Sequence, residues 1–308
     1  MSNTLIKSRE NLANAVVFTT HESVKHILNI LKDQCQIIAV VVPINREGTD
    51  KIKRVRAVCE EQGIPVVVQP RKADIASFNK FLADNHVTFG ISWSYSQIIA
   101  SETLAIFKDG IWNMHGGKIP EYRGANVLQW AIVNGEKEIG VTWHIMVEQV
   151  DAGDILMSST VPVGQQATAL EVLDLIFAEG VRLFSILWQQ YHSEGIKPES
   201  RDISQIPPYK GRTALDGLIL PTMTRQQIGD LIRAQCPPWP RPLLYENRQL
   251  YCVNAIVENE VLAGQNLIVR HQAVDGEIAL SVVLSCTDTD FLAAVQNKLG
   301  IDKKTSLL

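Results

Sequence analysis

Residues 14–43, NAVVFTTHESVKHILNILKDQCQIIAVVVP, decide how the chain is read. An unbroken apolar run, Ala15–Phe18, is too short for a helix and fits a strand buried on both faces. After it, Val24, Ile27, Leu28 and Leu31 recur at helical spacing, so one side of a helix is apolar. A second buried strand, QIIAVVVP, closes at Pro43. Strand, amphipathic helix and strand in this order form a unit whose strands run parallel.

The pattern continues. A charged helix through Ile52, Val55 and Val58 precedes IPVVVQP, and DIASFNKFLADN separates that strand from VTFGIS. We expect a largely parallel, Rossmann-like sheet with helices on both faces. Asn126–Asn134 reads as a short helix ended by Asn134-Gly135, a C-cap pair. GVTWHIMVEQVDAGDIL alternates, with Val141, Trp143, Ile145 and Val147 on one side and Thr142, His144 and Met146 on the other. It breaks at a turn, Asp151-Ala-Gly. Thr168-x-x-Glu171 is a capping box opening a long helix.

From His192 the chain turns polar and proline-rich, which reads as a linker. Residues 1–203 form one expected domain and 204–308 a second. The second holds a helix over Thr224–Gln235 and four short strand candidates, PLLYEN, QLYCVNAIV, NLIVRHQAV and IALSVVLS. Short strands at close spacing predict a small β-rich, barrel-like domain. DFLAAVQNKLG near the end suits a terminal helix or a homodimer contact. PPWP reads as structural, with an aromatic platform for a base as the competing use.

The 308 residues carry a net charge of -4, which argues against nucleic acid and anionic membranes as partners. Five scattered cysteines without a C-x-x-C pair argue against a disulfide scaffold and for a reducing compartment. The polar N-terminal stretch lacks a signal peptide's apolar segment, and no apolar run reaches spanning length. The expected location is the cytoplasm. No ligand cluster for a metal is visible.

Residues 111–136, IWNMHGGKIPEYRGANVLQWAIVNGE, interrupt an apolar strand with Asn113 and His115. Being two apart, they share a face. An amide donor and an imidazole at a strand end suit oxyanion stabilisation and proton movement, although such a pair also occurs as a satisfied structural one. Gly116 and Gly117 would let a substrate approach the backbone. Asp151 could orient the imidazole, or simply serve its turn. Asp154 reads as a turn residue.

Taken together, Asn113-x-His115-Gly116, IPEYRGANVLQWAIVNGE and IGVTWHIMVEQVDAGDIL resemble the formyltransferases that use 10-formyltetrahydrofolate. The likeness runs from Val16 to about Tyr191 and is strongest over Asn113–Leu156. It implies a catalytic trio of Asn113, His115 and Asp151. It also implies a folate pocket lined by the loop after the fourth strand (Ser92, Trp93, Ser94, Tyr95, Ile98) and by the turn carrying the Asp (Val147, Glu148). Gly117-Lys118-Ile119-Pro120 departs from the Ser-Leu-Leu-Pro run of many members.

Three acceptors compete. The likeness to sugar-nucleotide N-formyltransferases implies a nucleotide-linked 4-amino sugar for a surface polysaccharide or lipid, facing Gly116, Gly117, Tyr122, Arg123 and Asn126. Arg123 beside a diphosphate is sensible chemistry, as is a helix-entry salt bridge. Methionyl-tRNA is the second, needing a basic surface for which DKIKRVR is the candidate, with a solvated helix face as its plainer use. The third is water, in a formyltetrahydrofolate hydrolase, or no acceptor at all, in a folate-binding module.

Overall fold

The computed structural model describes residues 14–257, 267–285 and 289–301. The polar N-terminal stretch through Ala13 and Cys286 lie outside them. The elements run β1 (Asn14–Thr19), α1 (Val24–Leu31), β2 (Gln36–Pro43), α2 (Asp50–Glu61), β3 (Val66–Gln69), α3 (Ile75–Asp84), β4 (Phe89–Trp93) and the single turn α4 (Ser101–Leu104). Then come β5 (Ile111–His115), α5 (Val127–Val133), β6 (Glu138–Ile145), β7 (Ile155–Pro162), α6 (Ala169–Ser193) and α7 (Arg225–Ala234). The last are β8 (Leu243–Glu246), β9 (Gln249–Ile256), β10 (Leu267–Ala273), β11 (Gly276–Leu284) and α8 (Thr289–Lys298).

Seven strands form one sheet in the order β3-β2-β1-β4-β5-β6-β7. The first five are parallel, and β6 runs antiparallel to β5. The order reverses at β1, where such sheets place their sites beyond the strand ends. Four of the five apolar residues of α1, Val24, Ile27, Leu28 and Leu31, are fully buried, each worth roughly 1.5–3 kcal/mol. β6 is buried along nearly its whole length because β5 and β7 flank it.

Alternation along the strands sorts the two faces. Val16, Phe18 and Ile111 pack with Ile75, Phe78 and Leu82 of α3. Trp93, Trp112 and Trp143 point the other way and meet α6 through Phe177, Phe184 and Trp188. The α6 backbone comes close because position 180 is glycine: a Cβ there would lie 3.1 Å from Trp93. The expected capping box opens this helix, with the Thr168 N–H donating to Glu171 Oε2 at 2.8 Å.

The chain divides into two compact units. The first comprises residues through Gly124 with Ile139–Val161 and Asp174–Tyr209. The segment read as a linker belongs to it: Ile155 and Glu199 exchange two main-chain hydrogen bonds of 2.8 Å. The second unit contains Ala125–Glu138, Pro162–Leu173 and the chain from Lys210. Its four strands form an antiparallel, curled half-barrel sheet in the order β10-β11-β9-β8. Ile228 and Leu231 of α7 pack on its core with Tyr251, Val253, Leu280 and Val282.

Candidate active site

The site begins as a polar row across an otherwise apolar sheet. Register places Phe18, Ser92, Asn113 and His144 side by side on β1, β4, β5 and β6. Phe18 belongs to the core on that face. Asn113 Nδ2 lies 3.0 Å from His144 Nε2. His144 Nδ1 faces its neighbour's carbonyl, Ile145 O, at 3.0 Å. A carbonyl only accepts, so Nδ1 carries the proton and Nε2 receives the Asn113 N–H. One Asn113 N–H remains for another partner.

His115 follows Asn113 by two on the same face. Its Nε2 donates to Tyr122 O at 2.6 Å, which turns Nδ1 toward Asp151 Oδ2, 3.5 Å away. Asp151 Oδ1 lies 3.5 Å from His144 Nε2. Both distances exceed a well-formed charge-assisted hydrogen bond. The Gly124 N–H donates to Asp151 Oδ2 at 2.8 Å. Asp151 itself adopts a left-handed backbone, φ 46°, the kind of strained geometry that functional turns hold. Gly153 makes that turn possible, since a Cβ there would coincide with Ile145 O.

Electrostatics follow from this arrangement. Burial pushes the His115 imidazole below its ordinary range, while Asp151 and the bond to Tyr122 O pull it up. Burial alone would raise the Asp151 carboxyl, but His115 and the Gly124 N–H hold it well below the usual carboxylate range. The pair is an anion beside a base whose protonation burial resists.

The structure brings Asn113, His115 and Asp151 together, and adds His144, which sequence reasoning left unassigned. Its signal was its side of β6, opposite Trp143; only the β5–β6 register puts it beside Asn113. Ser92 sits in the polar row, 2% exposed. Beyond the ends of β2 and β3, a cavity of about 660 Å3 is lined in part by Gln69, Arg71, Lys72, Gln97, Ile98 and Glu148. Ile98 is 79% exposed and Val147 43%. Tyr95 packs on Phe18 and donates its hydroxyl to Gln69. Ser94 takes φ 52° and its carbonyl caps Thr20.

Three expectations need correction. Trp93 is fully buried, donating to Ser23 Oγ; strand parity turns it to the face of the sheet opposite Ser92, Asn113 and His144. Gly116 makes room for α6 rather than for a ligand, because a Cβ there would lie 3.3 Å from Ile176. Arg123 is 2% exposed and donates to two main-chain carbonyls, Ile206 O and Val150 O, so its guanidinium is not offered to a diphosphate. Asn126 is the residue entering α5, φ 54°, and its Oδ1 accepts from the Arg212 N–H in the second unit. Gly117 is buried and accepts from Thr142 through its carbonyl. The Tyr122 ring stacks on Tyr209 at 5.3 Å and 9°. Asp154 accepts from Ser200 as a turn residue would. No helix among the described residues is long and apolar enough to cross a membrane.

An amide and two imidazoles at the strand ends of an α/β sheet, with a carboxylate beside them, are groups that suit acyl transfer. The formyl transferase family profile matches residues 10–184, more than half of the chain, and the chain belongs to that family: it is an enzyme that transfers formyl groups. A methionyl-tRNA formyltransferase of Desulfotalea psychrophila is 29% identical over 245 residues, 78% of this chain and 75% of that protein. Two solved folds are similar. The sugar 3N-formyl transferase WlaRD, crystallised with dTDP and 5-N-formyl-THF, matches at TM-score 0.65 and 18% identity over 90% of this chain and all of its own. A 4-N formyltransferase from Francisella tularensis matches at TM-score 0.62 and 18% identity over 76% of this chain and 93% of its own.

Proposed function

We propose that the protein transfers formyl from 10-formyltetrahydrofolate to the primary amine of a nucleotide-linked amino sugar, with a 4-amino sugar of surface polysaccharide or lipid as the acceptor. The His115–Asp151 pair beside Asn113 carries the transfer reading. As the amine bonds to the formyl carbon, negative charge grows on the formyl oxygen. The unused Asn113 N–H and a protonated His115 would stabilise it, and Asp151 would orient His115 and favour its protonation. His144 keeps the Asn113 amide in the right orientation. The acceptor amine loses a proton, the C–N bond to the folate breaks, and the departing folate nitrogen takes up a proton. The cavity suits the folate: Ile44, Ile75, Ile98 and Ile99 offer apolar walls for flat rings, and Arg71 and Lys72 offer cations for a carboxylate tail. On this reading residues 1–203 hold the chemistry, in the cytoplasm.

One observation favours the sugar over methionyl-tRNA. In the basic segment, Lys53 pairs with Asp50, Arg54 with Glu22 and Arg56 with Glu47. These three charges are already answered by acids, which weakens the best candidate grip on RNA phosphates. The identity to a methionyl-tRNA enzyme keeps that acceptor as the second reading. The test is turnover with 10-formyltetrahydrofolate and a panel of dTDP-, UDP- and GDP-linked 3- and 4-amino sugars, with methionyl-tRNA and buffer alone as the other arms. Turnover with an amino sugar that is lost in His115→Ala and Asp151→Ala supports the proposal. Turnover only with methionyl-tRNA replaces the acceptor, and folate consumption without acceptor replaces transfer by hydrolysis.

A further inference from the structure

Tyr122, Arg123 and Gly124 each grip a different part of the site. The Tyr122 carbonyl takes the His115 Nε2 proton, and the Gly124 N–H binds Asp151 Oδ2. Between them the Arg123 side chain donates from Nη1 to Val150 O at 2.9 Å and from Nε to Ile206 O at 3.0 Å. Its own carbonyl accepts from the Tyr209 N–H at 2.8 Å. Val150 is the residue immediately before Asp151.

A buried guanidinium is costly unless its donors are satisfied. Arg123 places both of these bonds on main-chain carbonyls of two separate loops. A rigid fork can hold two acceptors at fixed spacing, whereas a lysine ammonium on a flexible stem cannot. Gly124 is also fixed: with φ 104°, a Cβ there would collide with Tyr209 O. The Tyr122–Gly124 turn therefore has no slack, and what Arg123 holds is the main chain that delivers Asp151 in its left-handed conformation.

We propose that Arg123 is a positioning residue: it ties the backbone before Asp151 to the turn that binds His115, and so sets the His115–Asp151 geometry for catalysis. This rests on the transfer reading above, in which that pair does the chemistry. Because Asp151 is the main influence raising the His115 proton affinity against burial, loosening the carboxylate lowers that affinity.

The experiment follows the His115 imidazole by NMR titration in the unliganded full chain, alongside steady-state kinetics, for wild type, Arg123→Met, Arg123→Lys and Asp151→Asn. Asp151→Asn sets the full downward shift in the His115 midpoint. Arg123→Met is expected to give part of that shift, with kcat reduced on the order of 10–100-fold and KM for either substrate within about twofold. Arg123→Lys should fall between it and wild type. Should Arg123→Met not fold, Arg123→Lys carries the same test, since it keeps charge and stem. A His115 midpoint that stays put or rises in folded variants overturns the proposal, and so does an unchanged kcat with only a lower melting temperature. A raised KM for the acceptor with kcat intact would make Arg123 a substrate ligand instead. If wild type transfers no formyl yet the titration responds as described, the transfer reading fails while the positioning of Asp151 by Arg123 stands.

Discussion

Each unit buries an acid–base pair, and the two pairs are built differently. In the second unit, Asp230 and Arg233 lie one turn apart on α7 with Nε to Oδ1 at 2.9 Å. Gln226 adds a bond to the same carboxylate, and Arg233 donates further to Ala167 O. In the first unit, His115 and Asp151 stand 3.5 Å apart, and burial resists the imidazole's charge. A pair that serves architecture uses an arginine that never titrates and fills its bonds. A pair proposed for chemistry keeps a titratable member and leaves room between partners.

Breaking each pair should therefore have opposite signatures. Asp151→Asn is expected to lower kcat per folded molecule about 10³-fold, within the range for losing general acid–base help, with a smaller loss of stability than Asp230→Asn. Asp230→Asn is expected to leave the transfer rate per folded molecule unchanged. It strands a buried guanidinium, at a cost of about 3–5 kcal/mol read from urea unfolding. A stability loss without a rate loss in Asp151→Asn would erase the distinction.

The pairs also differ in pH response. His115 binds its proton less readily folded than unfolded. Below about pH 6.5 the unfolded chain thus holds more protons, and stability falls as pH falls. Asp151 adds a second loss below about pH 4 for the same reason, its folded carboxyl being depressed. The melting temperature of wild type should drop between pH 7.5 and 5.5 by more than that of His115→Gln. Equal drops would remove His115 as the source.

The smallest contrast lies in two helical glycines. At Gly180 a Cβ would sit 3.1 Å from Trp93 and 3.2 Å from Met114, so Gly180→Ala should cost about 1–3 kcal/mol. At Gly229 on α7 the nearest atom, in Ile256, is 3.5 Å away. Gly229→Ala should gain up to about 1 kcal/mol from helix propensity. Thermal unfolding of the two variants checks both signs.

Periodicity made most of the fold legible. Buried strands and stripes such as Val24–Leu31 announce themselves because burial demands apolar side chains at fixed spacing. α4 was not readable, since four residues hold barely one helical turn. In the site, Asn113, His115 and Asp151 could be read because polar groups in a strand end and a strand-breaking turn stand out locally. His144 could not, because its neighbour lies 31 residues away across an antiparallel register. Trp93 was misplaced by treating a strand end as loop, although its parity with Ser92 already sent it to the other face. Arg123 misled because a sequence shows a charge but not the carbonyls that surround it.

The indoles of Trp93 and Trp143 lie 6.0 Å apart, and those of Trp112 and Trp188 5.9 Å apart, all in the first unit. At such separations the excited states of neighbouring rings mix. The first unit therefore carries its own optical signature in circular dichroism, in which the Trp112–Trp188 contribution is a coupled band that vanishes when α6 leaves the sheet. Trp130 and Trp239 lie in the second unit. Loss of the coupled band would time the release of α6 from the Trp-lined face of the sheet without any label.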